Sequence, residues 1–140
     1  MPIPLPNRGS FKAETIIAVF LFIIVVIVLL TSWVSAKRLS RDKERVSDIT
    51  QIQEGLKLYF AQNGYYPTGQ GLDSPKGLDV YLDHWPVAPT PVDGSCKLAQ
   101  NEYNYSQKAR GLDFVLTFCL GQDLDGLVAG SHTVTAKGIQ

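Results

Sequence analysis

The sequence predicts an α+β fold: one long N-terminal helix, half membrane-spanning and half amphipathic, packed against a small antiparallel β-sheet. Three observations lead there. Residues 15–36 form 22 consecutive positions without a charge, long enough to cross the roughly 30 Å hydrocarbon core at about 1.5 Å per residue. After Gly9 no Gly or Pro appears before Gly55, so nothing breaks the helix as it leaves the apolar run. Beyond Pro67 the chain turns rich in Gly, Pro and Asp, with short alternating runs of strand character.

With 140 residues, 13 basic and 13 acidic side chains, the chain has room for one small globular domain. The charge is unevenly placed. Residues 1–63 hold eight Lys/Arg against five Asp/Glu, and residues 64–140 hold five against eight. A basic, membrane-linked half is thus followed by an acidic half, which makes a poor binder of phosphate backbones. No nucleic-acid partner is expected.

Pro2, Pro4 and Pro6 keep the first residues out of a helix. The apolar run, rich in Ile, Val, Leu and Phe, exceeds the roughly 7–15 apolar residues of a secretory signal. Ser32 to Ala36 still offers a small-x-small cleavage alternative. Glu14 stands at the mouth of the run, either in the lipid headgroup region or paired with another group. Past residue 36 the pattern becomes amphipathic. Val46, Ile49, Ile52, Leu56, Tyr59 and Phe60 recur at steps of three or four and draw one apolar stripe. Asn63-Gly64 supplies the stop. A helix of about 50 residues would be roughly 75 Å long.

The order Arg8-Gly9, a short segment, Glu14 and a long apolar helix resembles the class III signal of type IV pilins and type II secretion pseudopilins. A second likeness lies in Arg45-Val46-Ser47-Asp48-Ile49, then Leu56 and Tyr59, then Asn63-Gly64-Tyr65-Tyr66-Pro67-Thr68, continued by Gly69-Gln70-Gly71-Leu72. It resembles the amphipathic helix and N-G-x-Y-P turn of major pseudopilins and short pilins. Together the two cover about residues 8–72. The resemblance implies cleavage by a prepilin peptidase between Gly9 and Ser10, methylation of the new terminus, and Glu14 as the fifth mature residue. It also implies an inner-membrane assembly platform and a homo-oligomeric helical filament in which Glu14 pairs with a neighbour's terminal amine and sets register. Ser10 stands where family members usually begin with Phe, and Lys12 where an uncharged residue is usual. The domain plan is then a leader over 1–9, a transmembrane or filament-core helix over 10–36, an amphipathic helix over 37–63, and a β-rich head over 64–140.

Within the head, 68–91 reads as a long loop with one helical turn near 77–82. Tyr103 and Tyr105 point one way, 108–111 can turn the chain, and 113–120 alternates so that Phe114, Leu116, Phe118 and Leu120 share a face. A further strand is expected over 131–136. The Phe/Leu face should bury the helix stripe, each large side chain contributing about 1.5–3 kcal/mol. Cys96 and Cys119 lie 23 residues apart. In an exported domain they suit a disulfide that clamps the preceding loop; two free buried thiols are the alternative. Five basic residues after the apolar run, Lys37, Arg38, Arg41, Lys43 and Arg45, outnumber the two before it, and by the positive-inside rule would hold the head in the cytoplasm. The leader resemblance and the cysteine pair place it outside, and that is the expectation: a single-pass protein of the cytoplasmic membrane whose filament is periplasmic or at the cell surface.

Asp123-Leu-Asp125-Gly126 sets two carboxylates one residue apart before a Gly. A solvated turn and a weak calcium site are both readings of it, the latter raised by the calcium-holding loop of major pseudopilins. No other cofactor is implied. His84 and His132 are isolated, with His84 expected to pack in a loop beside Trp85-Pro86. Asn104-Tyr-Ser106 is a formal glycosylation sequon. Tyr65, Tyr66 and Tyr81 are read as exposed tyrosines, with subunit contacts or adhesion as one use and ordinary packing as the favoured reading. No nucleophile elbow or ligand-spaced cluster supports catalysis, so the expectation is a structural protein. A membrane-anchored binding module that never polymerises is the alternative.

Overall fold

The computed structural model describes residues 10–140, and the expected leader over 1–9 lies outside them. One α-helix, α1, runs unbroken over Ser10–Asn63. The chain divides into two compact units, one up to Lys37 and one over Arg38–Gln140. The amphipathic half of α1 therefore folds with the β-rich head and not with the apolar half.

In the first unit every large apolar side chain from Ile16 to Val34 is 36–69% exposed. Such uniform exposure of Ile, Val, Leu and Phe is incompatible with a helix lying in water on its own. By length and composition it can cross a membrane. The polar Thr31 hydroxyl is satisfied inside the helix, donating to the carbonyls of Ile27 (3.1 Å) and Val28 (3.0 Å), which suits an apolar surrounding. The Lys37 ammonium lies 5.5 Å from the Trp33 ring centroid, a cation–π contact.

In the second unit a five-stranded antiparallel sheet comes after α1. Its strands are β1 (Gln70–Gly71), β2 (Asn104–Lys108), β3 (Asp113–Leu120), β4 (Gly130–Thr135) and β5 (Gly138–Ile139), in the meander order β1-β2-β3-β4-β5. Leu116 pairs with Tyr105 on one side and Val134 on the other. All three are fully buried. Ile49, Ile52 and Leu56 of the helix stripe are likewise at 0% exposure, with Val46, Tyr59 and Phe60 packed at the margins. The predicted sheet face and helix stripe thus meet as one core. Phe60, Tyr66, Phe114 and Tyr105 continue it as a chain of ring contacts 4.7–6.0 Å apart.

Gly55 is buried within the stripe. A Cβ there would stand 3.4 Å from both the Tyr81 carbonyl oxygen and the Leu82 Cβ, so the 81–82 loop lies directly on the helix at this position. α1 stops where predicted. Gly64 takes φ 76°, its N–H donates to the Phe60 carbonyl (2.8 Å), and the Asn63 side-chain amide donates to the Tyr59 carbonyl (2.9 Å).

Three expectations need correction. The loop over 68–91 contains β1, which pairs Gln70 with Ser106 and Gly71 with Tyr105. Tyr66 is buried at 6% exposure rather than on the surface, because its backbone N–H donates to Gly111 and its ring lies between Phe60 and Phe114. His84 is exposed, not packed, whereas its neighbour Pro86 is buried.

Candidate functional site

The first turns of the amphipathic half carry the densest polar chemistry of the described residues. Asp42 and Arg45 are 0% and 1% exposed. They stand one turn apart on the phase of the apolar stripe, since 42, 45, 49, 52 and 56 advance by alternating steps of three and four. A charge facing a core must be paired and hydrogen-bonded. The Asp42 carboxylate accepts from Arg45 Nη1 (2.7 Å) and from the backbone N–H groups of Gly121 (3.0 Å) and Gln122 (3.1 Å). Arg45 Nη2 donates to the Pro89 carbonyl (2.9 Å) and to Asn101 Oδ1 (2.6 Å). Its Nε is buried without a partner. One helix turn therefore grips the end of β3, the 89–90 loop and Asn101 together.

Beside it, Arg41 holds Asp93 through two bonds, Nε to Oδ2 (2.5 Å) and Nη2 to Oδ1 (2.7 Å). Arg38 Nε approaches the same carboxylate at 3.7 Å. The Arg41 hydrogen bond holds the Asp93 carboxyl below its ordinary range against the opposing effect of burial, with the nearby charges of Arg41, Arg45 and Arg38 adding to it. The same bond raises Arg41. Lower on the helix, burial raises Asp48, partly offset by the hydrogen bond it accepts from the Tyr103 hydroxyl (2.7 Å). Burial first, then that bond, push the Tyr103 phenol well above its usual value. Burial also raises Tyr66.

The loop that bears Asp93 is pressed onto the sheet. A Cβ at Gly94, where φ is +53°, would meet the Gly121 carbonyl oxygen at 1.8 Å, and one at Gly121 would meet Asp93 Cβ at 2.7 Å. Only glycine permits the two backbones to close. Cys96 and Cys119 are joined in a disulfide with a Cα–Cα distance of 5.8 Å, shortly after Gly94 and shortly before Gly121.

The Asp123–Asp125 segment is a two-residue hairpin. Leu124 and Leu127 exchange reciprocal backbone bonds of 2.9 Å. Asp125 (φ 50°) and Gly126 (φ 86°) occupy its two left-handed positions, the type I′ geometry that favours Asp-Gly. Asp123 accepts from the Ala129 N–H (2.7 Å). Calcium takes six to eight oxygens. Here one oxygen of Asp123 and the carbonyls of Leu124 and Leu127 are already engaged, and no group of three or more His, Cys, Asp or Glu converges among the described residues. The donor set falls short of a calcium site and fits a turn.

Of the remaining sequence candidates, Gly9 lies outside the described residues, and Ser10 and Glu14 fall in the first turns of α1. His132 is buried, stacked on Phe118 and hydrogen-bonded to the Val128 carbonyl (2.7 Å). Tyr65 and Tyr81 both make edge contacts with Tyr59, at 6.0 and 5.9 Å. Asn104 is exposed on β2. The residues that sequence reasoning missed are Asp42, Asp93 and Asn101. The first carried a signal, because it continues the apolar stripe backwards at core phase. Comparison of the chain with protein-family models, with curated proteins and with solved structures yields no match.

Proposed function

We propose that this chain is a structural subunit of the pilin or pseudopilin type, which enters a type IV pilus-like or type II secretion-like filament through its N-terminal helix. In this reading a prepilin peptidase cuts after Gly9, the assembly platform extracts the subunit from the cytoplasmic membrane, and the head lies outside. The observation that carries it is the division of labour along one helix. Its apolar part presents large side chains all round, from Ile16 to Val34, whereas its amphipathic part spends its apolar face on the five-stranded sheet. Apolar faces all round suit first lipid and then a bundle of like helices. Glu14, beside the new terminus, would set axial register by pairing with a neighbour's amine. The role is structural, with no catalytic step.

A second reading, an uncleaved membrane-anchored binding module with a cytoplasmic head, is favoured by the five basic residues after the apolar run. Three of those five serve the fold: Arg38 and Arg41 pair with Asp93, and Arg45 with Asp42. Intact mass and N-terminal sequencing of the membrane-extracted protein separate the two. A chain beginning at methylated Ser10 and two hydrogens light supports the subunit reading. A chain that retains residues 1–9 and has free thiols sinks it. Electron microscopy of the sheared fraction then tests for fibres, and normal fibres from Glu14→Ala would remove the register role.

A further inference from the structure

The second unit carries a knob and a groove at opposite ends. The groove, about 280 Å³, is lined by Leu72, Trp85, Val87 and Leu98, with Glu102 as its charged residue. Val87 is 86% exposed and Leu98 79%, an open apolar lining. The knob is the turn 108–112 between β2 and β3. It exposes Leu112 at 68%, just after the exposed cations Lys108 and Arg110, neither of which makes an ion pair among the described residues. Ala109 and Arg110 both hold positive φ, 49° and 55°. Such backbone strain in non-glycine residues persists where the surroundings or a function require the shape.

The two features sit at different levels of the same unit. Asn101 and Tyr103, which line the groove, bond to Arg45 and Asp48 of α1. The knob's Gly111 accepts from Tyr66, just past the end of α1 at Asn63. Fifteen to eighteen helical residues separate these levels, roughly 22–27 Å at 1.5 Å each. A knob and a groove at different levels meet in one of two ways: reciprocally, in a closed antiparallel pair, or head to tail between copies offset along the helix axis, a heterologous contact that propagates from copy to copy. Helices that all run the same way, as the filament reading requires, leave only the second.

We propose that the 108–112 turn of one copy docks in the Leu72/Trp85/Val87/Leu98 groove of the next, with Leu112 entering the apolar floor and Arg110 and Lys108 meeting Glu102. This rests on the filament reading for its biological setting, but it specifies the contact between heads, which the helix core does not. A second copy is the occupant that the opposite charges and the end-to-end placement favour.

The test uses the full chain in non-denaturing micelles, where copies are free to offset along the helix axis, with a short bis-maleimide, which joins free thiols and leaves the Cys96–Cys119 bond alone. Val87→Cys and Leu112→Cys each change an exposed side chain. The expected result is a ladder of dimers, trimers and higher multimers from the double variant, with monomer from either single variant. Arg110→Glu or Glu102→Arg in that background should cut the ladder at least tenfold, and the two together should restore it to within twofold. Near-UV circular dichroism checks that each variant is folded. Monomer from the folded double variant overturns the contact, as does a double variant that stops at dimer, which would mean a closed reciprocal pair. Fibres are scored separately by microscopy. Fibres without a ladder leave the filament reading standing and end this proposal; a ladder without fibres does the reverse.

Discussion

Replacing Asp42 with alanine removes three hydrogen bonds at once and leaves a buried cation behind. The carboxylate accepts from Arg45 at 2.7 Å and from Gly121 and Gln122 at 3.0 and 3.1 Å. Arg45 is 1% exposed and already has an unpartnered Nε, so it has little access to water in compensation. Hydrogen bonds to a charged group are worth about 1.5–3 kcal/mol each, and breaking one side of a buried pair costs about 3–5 kcal/mol. These figures overlap rather than add, and about 4 kcal/mol is the expected loss for the second unit. Set against a typical total of about 5–15 kcal/mol, that is a large fraction. For a domain of this size it corresponds to a fall in Tm of roughly 15–30 °C.

The assay is urea unfolding of the full chain in non-denaturing micelles, followed by near-UV circular dichroism. The double variant Asp42→Leu/Arg45→Met supplies the control, because it leaves no orphan charge. It should lose less than Asp42→Ala alone, the remainder being the N–H groups of Gly121 and Gln122 and the Asn101 Oδ1 left unpaired, at about 1–3 kcal/mol for such a group. If Asp42→Ala costs under about 1 kcal/mol, the pair behaves like a surface salt bridge and the reasoning is refuted.

Four further outcomes are expected. Ile52→Ala, at a fully buried stripe position, should cost about 2–5 kcal/mol in the same assay. Gly94→Ala should prevent the 93–96 loop from closing on Gly121, and thiol titration of the purified chain should then find free Cys96 and Cys119. The pH dependence has two opposing parts. Asp93, depressed by Arg41, stabilises the fold above its unfolded pKa of about 3.9 and loses that contribution as pH falls through its folded value; an acid titration of Asp93→Asn should therefore show a shallower loss. Asp48, raised by burial, contributes relative stability at low pH that is lost as pH rises through its folded value, so Asp48→Asn should steepen the acid loss.

The elements legible in the sequence are those whose signal is local and repeated. The stripe 46–60 states its period over four turns, and the alternation of Phe114, Leu116, Phe118 and Leu120 states the other period over eight residues. Two-residue strands have no period to show. β1 and β5 exist because β2 and β4 offer them partners, which only the folded chain reveals. The polar cluster was hidden for a related reason. Asp42 and Arg45 look like an ordinary i,i+3 surface pair, and their other partners lie 44 to 80 residues away. The sequence left Tyr66 grouped with the exposed tyrosines because nothing near it in the chain names a partner. Its burial depends on Gly111, 45 positions later, and on the Phe114 ring. The basic run after the apolar segment invited a topological reading because linear counting assigns no partner to Arg38 or Arg41.

The disulfide also gives the head a particular connectivity. Cys96 and Cys119 lie on either side of β2, its turn and most of β3, so the peptide between them forms a closed covalent ring. The exposed, cationic turn at Lys108 and Arg110 offers a trypsin-like protease a site within that ring. A single scission there would open the ring without releasing any part of the chain. The nicked protein would keep its mass, apart from one added water, and would separate into two pieces only on reduction. Damage at this exposed loop of the head is thereby converted from a loss of material into a break held in place by the sulfur bridge.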